Sequence, residues 1–305
     1  MSTPPATPRI GFIGIGMMGH GMAKNLLAKG YALTLKANRD RARLPDLLAA
    51  GAKEAKTNAD VARDADIVII CVASSPQVED IVLGTDGVLS AAREGLIVID
   101  TSTAEPDSTA RIREALAAKR VTFVDAPLAR TPKEAEEGRL NTMVGADEAT
   151  FNEIRPVLAA YCENIFHVGP PGHGHVLKLV NNFLALTIAA STAEAFASIS
   201  RAGVSLEKFH QVISAGGVNS GVYKMIAENA IKGDFTGMKF SIANARKDLR
   251  YYTHLAESLP VVSFVGEAVH QTFVHAVAQG YGDKLIPSLI EVQEKANGFQ
   301  IVKRP

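Results

Sequence analysis

Through the first half of the chain, short β-branched runs alternate with stretches whose apolar residues recur at helical spacing. Ile10–Ile13, Ala32–Lys36, Asp66–Val72, Leu96–Asp100 and Val121–Asp125 are predicted as strands. Helices are predicted between them over Met17–Lys29, Asp40–Ala50, Pro76–Leu83 and Pro106–Ala118. Ser75 ahead of Pro76 reads as a helix start, because serine caps orphan N–H groups and proline is tolerated in a first turn. Leu140–Val144 adds a strand and Phe151–Cys162 a helix. Alternation of this kind builds a parallel sheet covered on both faces.

The pattern then changes. A Gly/Pro-rich break at His167–His175 is followed by helical spacing alone: Val176–Arg201, ended by Gly203, then Ser205–Ser214, Tyr223–Lys232, Ile242–Glu257, Val261–Gln279 and Ile286–Ala296. The expected organisation is a disordered lead-in over residues 1–8, an α/β domain over 9–170 and an all-helical domain over 171–305.

Charge alters little in this picture. Lys and Arg number 32 against 32 Asp and Glu, which speaks against nucleic acid or an anionic membrane as the main partner. Phe183–Ile199 is the most apolar long segment, yet it carries Thr187, Ser191, Thr192, Glu194 and Ser198. A buried helix of a soluble protein is expected there rather than a lipid-spanning one. Met1–Arg9 has no apolar signal stretch, and Cys71 and Cys162 sit in unrelated contexts without disulfide or metal spacing. Two buried thiols in a cytoplasmic protein are expected.

The first strand runs straight into Gly14-Ile15-Gly16-Met17-Met18-Gly19, a G-x-G-x-x-G sequence. Gly14 permits a tight turn, Gly16 lets a pyrophosphate lie against the backbone, and Gly19 lets the helix pack on the strand. The helix N-terminus then offers N–H groups to the phosphates. A strand before the motif and an amphipathic helix after it make this a dinucleotide site of the Rossmann type rather than a chance match. The adenosine ribose is ordinarily held by an acidic residue about twenty residues beyond the glycines. Here the second strand ends in Lys36-Ala37-Asn38-Arg39, with no carboxylate at Ala37. Lys36 and Arg39 could meet a 2′-phosphate, with Asn38 beside them, so NADP is favoured over NAD. Both could equally be solvated surface charges, and Asp40 could swing back to a ribose hydroxyl.

Beyond the break comes Gly172-His173-Gly174-His175-Val176-Leu177-Lys178-Leu179-Val180-Asn181-Asn182. Helical spacing puts Asn181 and Asn182 on the face of Lys178, so an ammonium and a carboxamide are presented together. Geometry alone leaves a structural and a catalytic role equally open.

With Gly11–Gly19, Asp100-Thr101-Ser102-Thr103, Asp125-Ala126-Pro127, Gly172–Asn182 and Lys247-Asp248-Leu249 in order, the chain from Ile10 onward resembles the β-hydroxyacid dehydrogenases. The resemblance implies a Rossmann-type domain followed by an all-α domain, as in 6-phosphogluconate dehydrogenase, and a homodimer or homotetramer. It implies hydride exchange between a nicotinamide cofactor and a small acidic hydroxy or carbonyl compound, without a metal. Lys178 would be the general acid/base, which near neutral pH requires burial or nearby positive charge to lower its pKa. Asn182 would orient the substrate and Lys247 would close over the cofactor side. Val72, Ala73, Gln77 and Thr103 would line the cofactor groove with Gly14, Gly16, Met17, Met18 and Gly19.

One departure matters. The family's substrate loop commonly reads Asp-Ala-Pro-Val-Ser-Gly-Gly, whereas this chain has Asp125-Ala126-Pro127-Leu128-Ala129-Arg130-Thr131. The serine is replaced by Ala129, and Arg130 and Thr131 replace the two glycines. A guanidinium grips a carboxylate, sulfonate or phosphate with paired hydrogen bonds. The Arg-Thr pair is similar to that of 3-sulfolactaldehyde reductases, so a substrate with a strong or additional anionic group is expected. The alternative is that Arg130 turns outward onto Glu134, Glu136 or Glu137. His167, His173 and His175 are expected to be loop histidines rather than metal ligands. An imine reductase or a non-catalytic dinucleotide sensor would share the architecture. Lys178 argues against the first, and Lys178 with Asn182 against the second.

Overall fold

The structure is a computed structural model that describes residues 7–38 and 41–304. The expected lead-in lies largely outside the described residues. Among the described residues, nine strands form one sheet: β1 (Ile10–Ile13), β2 (Leu33–Lys36), β3 (Lys53–Glu54), β4 (Ile67–Ile70), β5 (Ile97–Asp100), β6 (Thr122–Asp125), β7 (Leu128–Ala129), β8 (Leu140–Gly145) and β9 (Cys162–Gly169). The order is β3-β2-β1-β4-β5-β6-β8-β7, with β9 also paired to β8. Strands β1 to β6 run parallel, and β8 lies antiparallel to β6 and β7.

The central strands read IGFI, IVII and IVID because both sheet faces are covered. Alternate residues divide between two cores. Ile67, Ile69, Ile97 and Ile99 join Phe12, Met22 and Leu26, whereas Val68, Ile70 and Val98 join Val61, Val78 and Leu116. The covering helices are α1 (Gly19–Ala28), α2 (Pro45–Ala49), α3 (Asn58–Arg63), α4 (Ser75–Leu83), α5 (Val88–Ala91), α6 (Pro106–Ala117), α7 (Pro132–Glu136) and α8 (Glu148–Leu158).

The helical part comprises α9 (His173–Arg201), α10 (Leu206–Ala215), α11 (Gly221–Ala230), α12 (Ile242–Ser258), α13 (Phe264–Ala278) and, after a 3-10 turn at Ile286–Ser288, α14 (Leu289–Asn297). The chain divides into compact units at 178/179, within α9. In the second unit Leu186, Ala189, Ala193, Phe196 and Ala197 of α9 form a core with Ile226, Leu249, Phe273 and Ile290. Their spacing of three or four residues, or multiples of it, keeps one helix face on that core. By length and composition alone α9 could also cross a bilayer.

Several elements depart from expectation for identifiable reasons. Ser75 lies inside α4 rather than capping it, and its hydroxyl accepts the Glu105 N–H at 2.7 Å. Strand β9 takes the place of a break, pairing with β8 along an irregular register. Its side chains show no clean alternation of burial, so no period-two signal exists. Residues 261–263 precede α13 rather than joining it, with Val262 exposed. Cys162 is buried and Cys71 partly so, and burial pushes the Cys71 thiol up to about 11.

Arg9 fastens the start of β1 to the loop before β4. Its hydrogen bonds hold the Asp66 carboxyl well below the usual carboxylate range, against the opposing effect of burial, and Arg93 also pairs with Asp66. A carboxyl depressed in the folded state contributes stability above its unfolded pKa of about 4 and loses it as pH falls. The melting temperature is therefore expected to drop on acidification below about pH 4. Arg9→Ala should flatten that dependence in a thermal-denaturation series, and an unchanged slope would remove Arg9 from the account.

Candidate active site

Gly14 follows β1 at φ +100°, a left-handed value that glycine adopts without a Cβ clash. A Cβ there would lie 2.1 Å from the Cys71 carbonyl oxygen, and one on Gly19 would lie 1.9 Å from that of Gly14. Neither position tolerates a side chain. Gly16 is different: a Cβ would meet nothing within 4 Å. Its backbone borders open space, with exposed Met17 and half-buried Met18 leading into α1. This cradle fits a pyrophosphate approached by backbone N–H groups.

The strand order reverses between β1 and β4, the kind of switch point beside which open parallel sheets bind nucleotides. Val72 and Ala73 follow β4. The Val72 N–H donates to Ser102 Oγ and the Ala73 N–H to Gln77 Oε1, both at 3.0 Å. Thr103 is half-buried just beyond β5. Three adjacent strand ends thus carry the glycine turn, the 72–77 segment and Thr103. Ser102, within the Asp100–Thr103 motif, fixes the backbone beside the groove, a role that depends on the Val72 N–H thirty residues earlier and so has no local sequence signal.

On the β2 side, Lys36 is half-buried, Ala37 buried and Asn38 exposed. Arg39 lies outside the described residues, as does Asp40. Arg41 is committed to Glu54 through both terminal guanidinium nitrogens, at 2.7 and 2.9 Å.

Asp125, at the end of β6, is fully buried. Its Oδ1 accepts the Gly172 N–H at 2.6 Å and its Oδ2 the His175 N–H at 2.8 Å. The carboxylate expected among the substrate contacts is therefore engaged in capping α9, which begins three residues earlier than the sequence pattern suggested. Gly174 allows this, since a Cβ would lie 2.4 Å from the Met143 carbonyl oxygen.

Ala129 closes β7 opposite Asn141. Arg130 follows at φ +82°, and its Nη1 pairs with Glu163 of β9 and donates to the Arg139 carbonyl at 2.5 Å. The carboxylates expected as alternatives are occupied elsewhere. Glu134 receives the Thr131 N–H at 3.0 Å and the Thr131 hydroxyl, so that Thr131 caps α7. Glu136 meets His20 at 2.6 Å, and Glu137 pairs with Arg139.

In the second unit Asn182 is buried and its Nδ2 donates to Asp248 Oδ2 at 2.7 Å. Lys247 Nζ lies 2.9 Å from Asp248 Oδ1, so one carboxylate joins the two residues that sequence motifs singled out. Asp248 stood within the quoted motif without an assigned role. Lys178 is half-buried in α9, four residues before Asn182 and in the last turn of the first unit.

The histidines are not in a loop. His167 lies in β9 stacked on Phe151 at 4.4 Å, while His173 and His175 occupy the first turn of α9. Among the described residues no three His, Cys, Asp or Glu side chains gather as metal ligands.

Residues 9–169 match the family model for the NAD binding domain of 6-phosphogluconate dehydrogenase. Residues 172–292 match that described as NAD-binding of NADP-dependent 3-hydroxyisobutyrate dehydrogenase. The chain belongs to the β-hydroxyacid dehydrogenase family. Among curated relatives, 2-(hydroxymethyl)glutarate dehydrogenase of Eubacterium barkeri is 34% identical, over 96% of this chain and 97% of that one. The 2-hydroxy-3-oxopropionate reductase of Escherichia coli is 31% identical, over 91% and 94%. The solved 3-hydroxyisobutyrate dehydrogenase of Salmonella typhimurium superposes with a TM-score of 0.82 at 28% identity, over 93% of this chain and 99% of that chain. This β-hydroxyacid dehydrogenase is thus an NAD(P)-dependent enzyme of CH–OH chemistry, built as a Rossmann-type domain followed by a helical region.

Proposed function

We propose that the enzyme interconverts a small acidic 3-hydroxy acid or alcohol with its aldehyde or semialdehyde, using NADP in preference to NAD. Lys178 is the general acid/base, giving its proton to the carbonyl oxygen in reduction and taking the hydroxyl proton in oxidation. The bound nicotinamide supplies or accepts hydride at the substrate carbon. Gly14, Gly16 and Gly19 would hold the pyrophosphate, with Val72, Ala73, Gln77 and Thr103 along the groove. Asn182 orients the substrate, and Lys247 contributes to substrate and cofactor binding. Residues 9–170 form the nucleotide-binding domain, and 171–305 the substrate and oligomerisation domain of a soluble homodimer or homotetramer.

The observation that carries this reading is the anchoring of Lys178. Asp125 ties the first turn of α9 to the end of β6, so the ammonium is offered from a fixed position in the first compact unit, which extends through Lys178. The absence of a carboxylate at Ala37, beside Lys36 and Asn38, favours a 2′-phosphate. Arg130 supports an anionic substrate, sulfolactaldehyde among the candidates. A non-glycine residue at φ +82° carries strain, and among the described residues its polar contacts run through Nη1.

The test follows NADPH and NADH absorbance with semialdehydes, 3-hydroxy acids and sulfolactaldehyde. NADPH-dependent turnover of at least one acidic substrate is expected, and cofactor binding without turnover on any would point to a sensor instead. Arg130→Gly should raise KM for the best substrate by about tenfold, the scale of one charge-assisted contact. Its Tm should hold or rise, because glycine relieves the left-handed backbone. An unmoved KM would remove Arg130 from substrate binding.

A further inference from the structure

His175 is a fully enclosed polar side chain one turn from Lys178, and the reaction gives it no part. It lies three residues before the lysine and is 0% exposed. Around it are Asp100 at the end of β5, Asp125 at the end of β6 and Thr109 on α6, all buried. The ring Nδ1 is 2.7 Å from Thr109 Oγ1, and Nε2 is 3.6 Å from Asp100 Oδ2. The Thr109 hydroxyl also lies 3.1 Å from the Glu105 carbonyl oxygen of its own helix. Nδ1 and the Thr109 hydroxyl thus share a hydrogen bond, while Nε2 faces Asp100 without one. An aromatic hydrocarbon would fill this space without the desolvation penalty of an imidazole beside a carboxylate. The polar ring is thus a specific hydrogen-bonded tie from α9 to α6, packed beside Asp100 of β5.

Two constraints act on the helix, and they differ in kind. Asp125 grips backbone N–H groups and fixes how far α9 extends along its axis. The His175 ring projects sideways between Thr109 and Asp100 and fixes rotation about that axis. Gly174 removes slack, because the helix backbone rests on β8 with no room for a Cβ. Any rotation permitted at 175 carries over to 178, less than one turn on.

We infer that His175 is a positioning residue, setting the direction in which Lys178 presents its ammonium through its hydrogen bond to Thr109 and its enclosure beside Asp100. The inference rests on Lys178 being the acid/base. Its test compares His175→Phe, His175→Asn, Thr109→Val and Lys178→Ala, with kcat, KM, the pH profile of kcat, NADPH affinity by fluorescence, and Tm. His175→Phe keeps the bulk and is expected to lower kcat by roughly 10- to 100-fold, as misplacement by about an ångström does. NADPH affinity should stay within about twofold, since the glycine turn is untouched, and the pH profile of kcat should shift. The Asn side-chain amide can replace the Nδ1 contact with Thr109 as donor or acceptor, so His175→Asn should recover part of the loss. Should His175→Phe not fold, Thr109→Val decides, with a kcat loss of roughly 3- to 10-fold expected. Unchanged kcat in the folded variant, or equal losses of kcat and NADPH affinity, overturns the positioning role. If Lys178→Ala stays fully active, the reading beneath it fails instead.

Discussion

Lys178→Ala is expected to lower kcat by about 10³-fold, in the middle of the range that a positioned acid or base contributes. The residue is half-buried in a helix turn whose start is anchored by Asp125, so truncation should remove the proton donor without disturbing the fold. Tm should move little and NADPH should still bind, because the glycine turn, Val72 and Thr103 belong to other segments. In the proposed role the ammonium would meet the substrate oxygen in the ground state as well, so KM should rise modestly beside the fall in kcat. Lys178→Arg separates charge from proton transfer: a guanidinium keeps the charge but does not give up its proton near neutral pH. Its kcat should resemble that of the alanine variant. Wild-type turnover in either would end the assignment.

How much of this was legible beforehand depends on how local each determinant is. β1, β4 and β5 declare themselves as unbroken apolar runs, and the glycine turn is a contiguous motif with a strand before it and a helix after. The α9 core face is a repeat of three and four residues along one segment. The remaining determinants depend on partners distant in the chain. α9 starts at His173 because a carboxylate 47 residues earlier accepts the Gly172 N–H, and no window of sequence contains both. Arg130 meets Glu163, 33 residues on, rather than the glutamates next to it, since those are already taken by Thr131, His20 and Arg139. β9 lacks alternation because its burial is irregular. Asn182 and Lys247 were singled out separately, and Asp248 becomes meaningful only once α9 and α12 lie side by side.

Asp125→Ala is expected to have the largest effect on stability. The carboxylate receives two backbone hydrogen bonds in a fully buried site, and hydrogen bonds to a charged group contribute about 1.5–3 kcal/mol each. Alanine leaves the Gly172 and His175 N–H groups at a helix start without that partner, so a loss of about 3–5 kcal/mol follows. For a domain of this size each kcal/mol shifts Tm by about 2–4 °C, so a fall of about 10 °C is expected. The consequences should be uneven. Asp125 takes no part in the glycine turn, so NADPH affinity at a temperature where the variant is folded should change little. Its kcat should fall more than tenfold, because α9 loses the tie that fixes Lys178 along the helix axis. Asp125→Asn refines the point. Its single carbonyl oxygen can replace only one of the two acceptors, and its NH₂ group would face the other N–H. Stability should therefore remain well short of wild type. If Asp125→Ala melts with the wild type and turns over normally, the start of α9 is held by something other than this carboxylate, and the fixed presentation of Lys178 has no support.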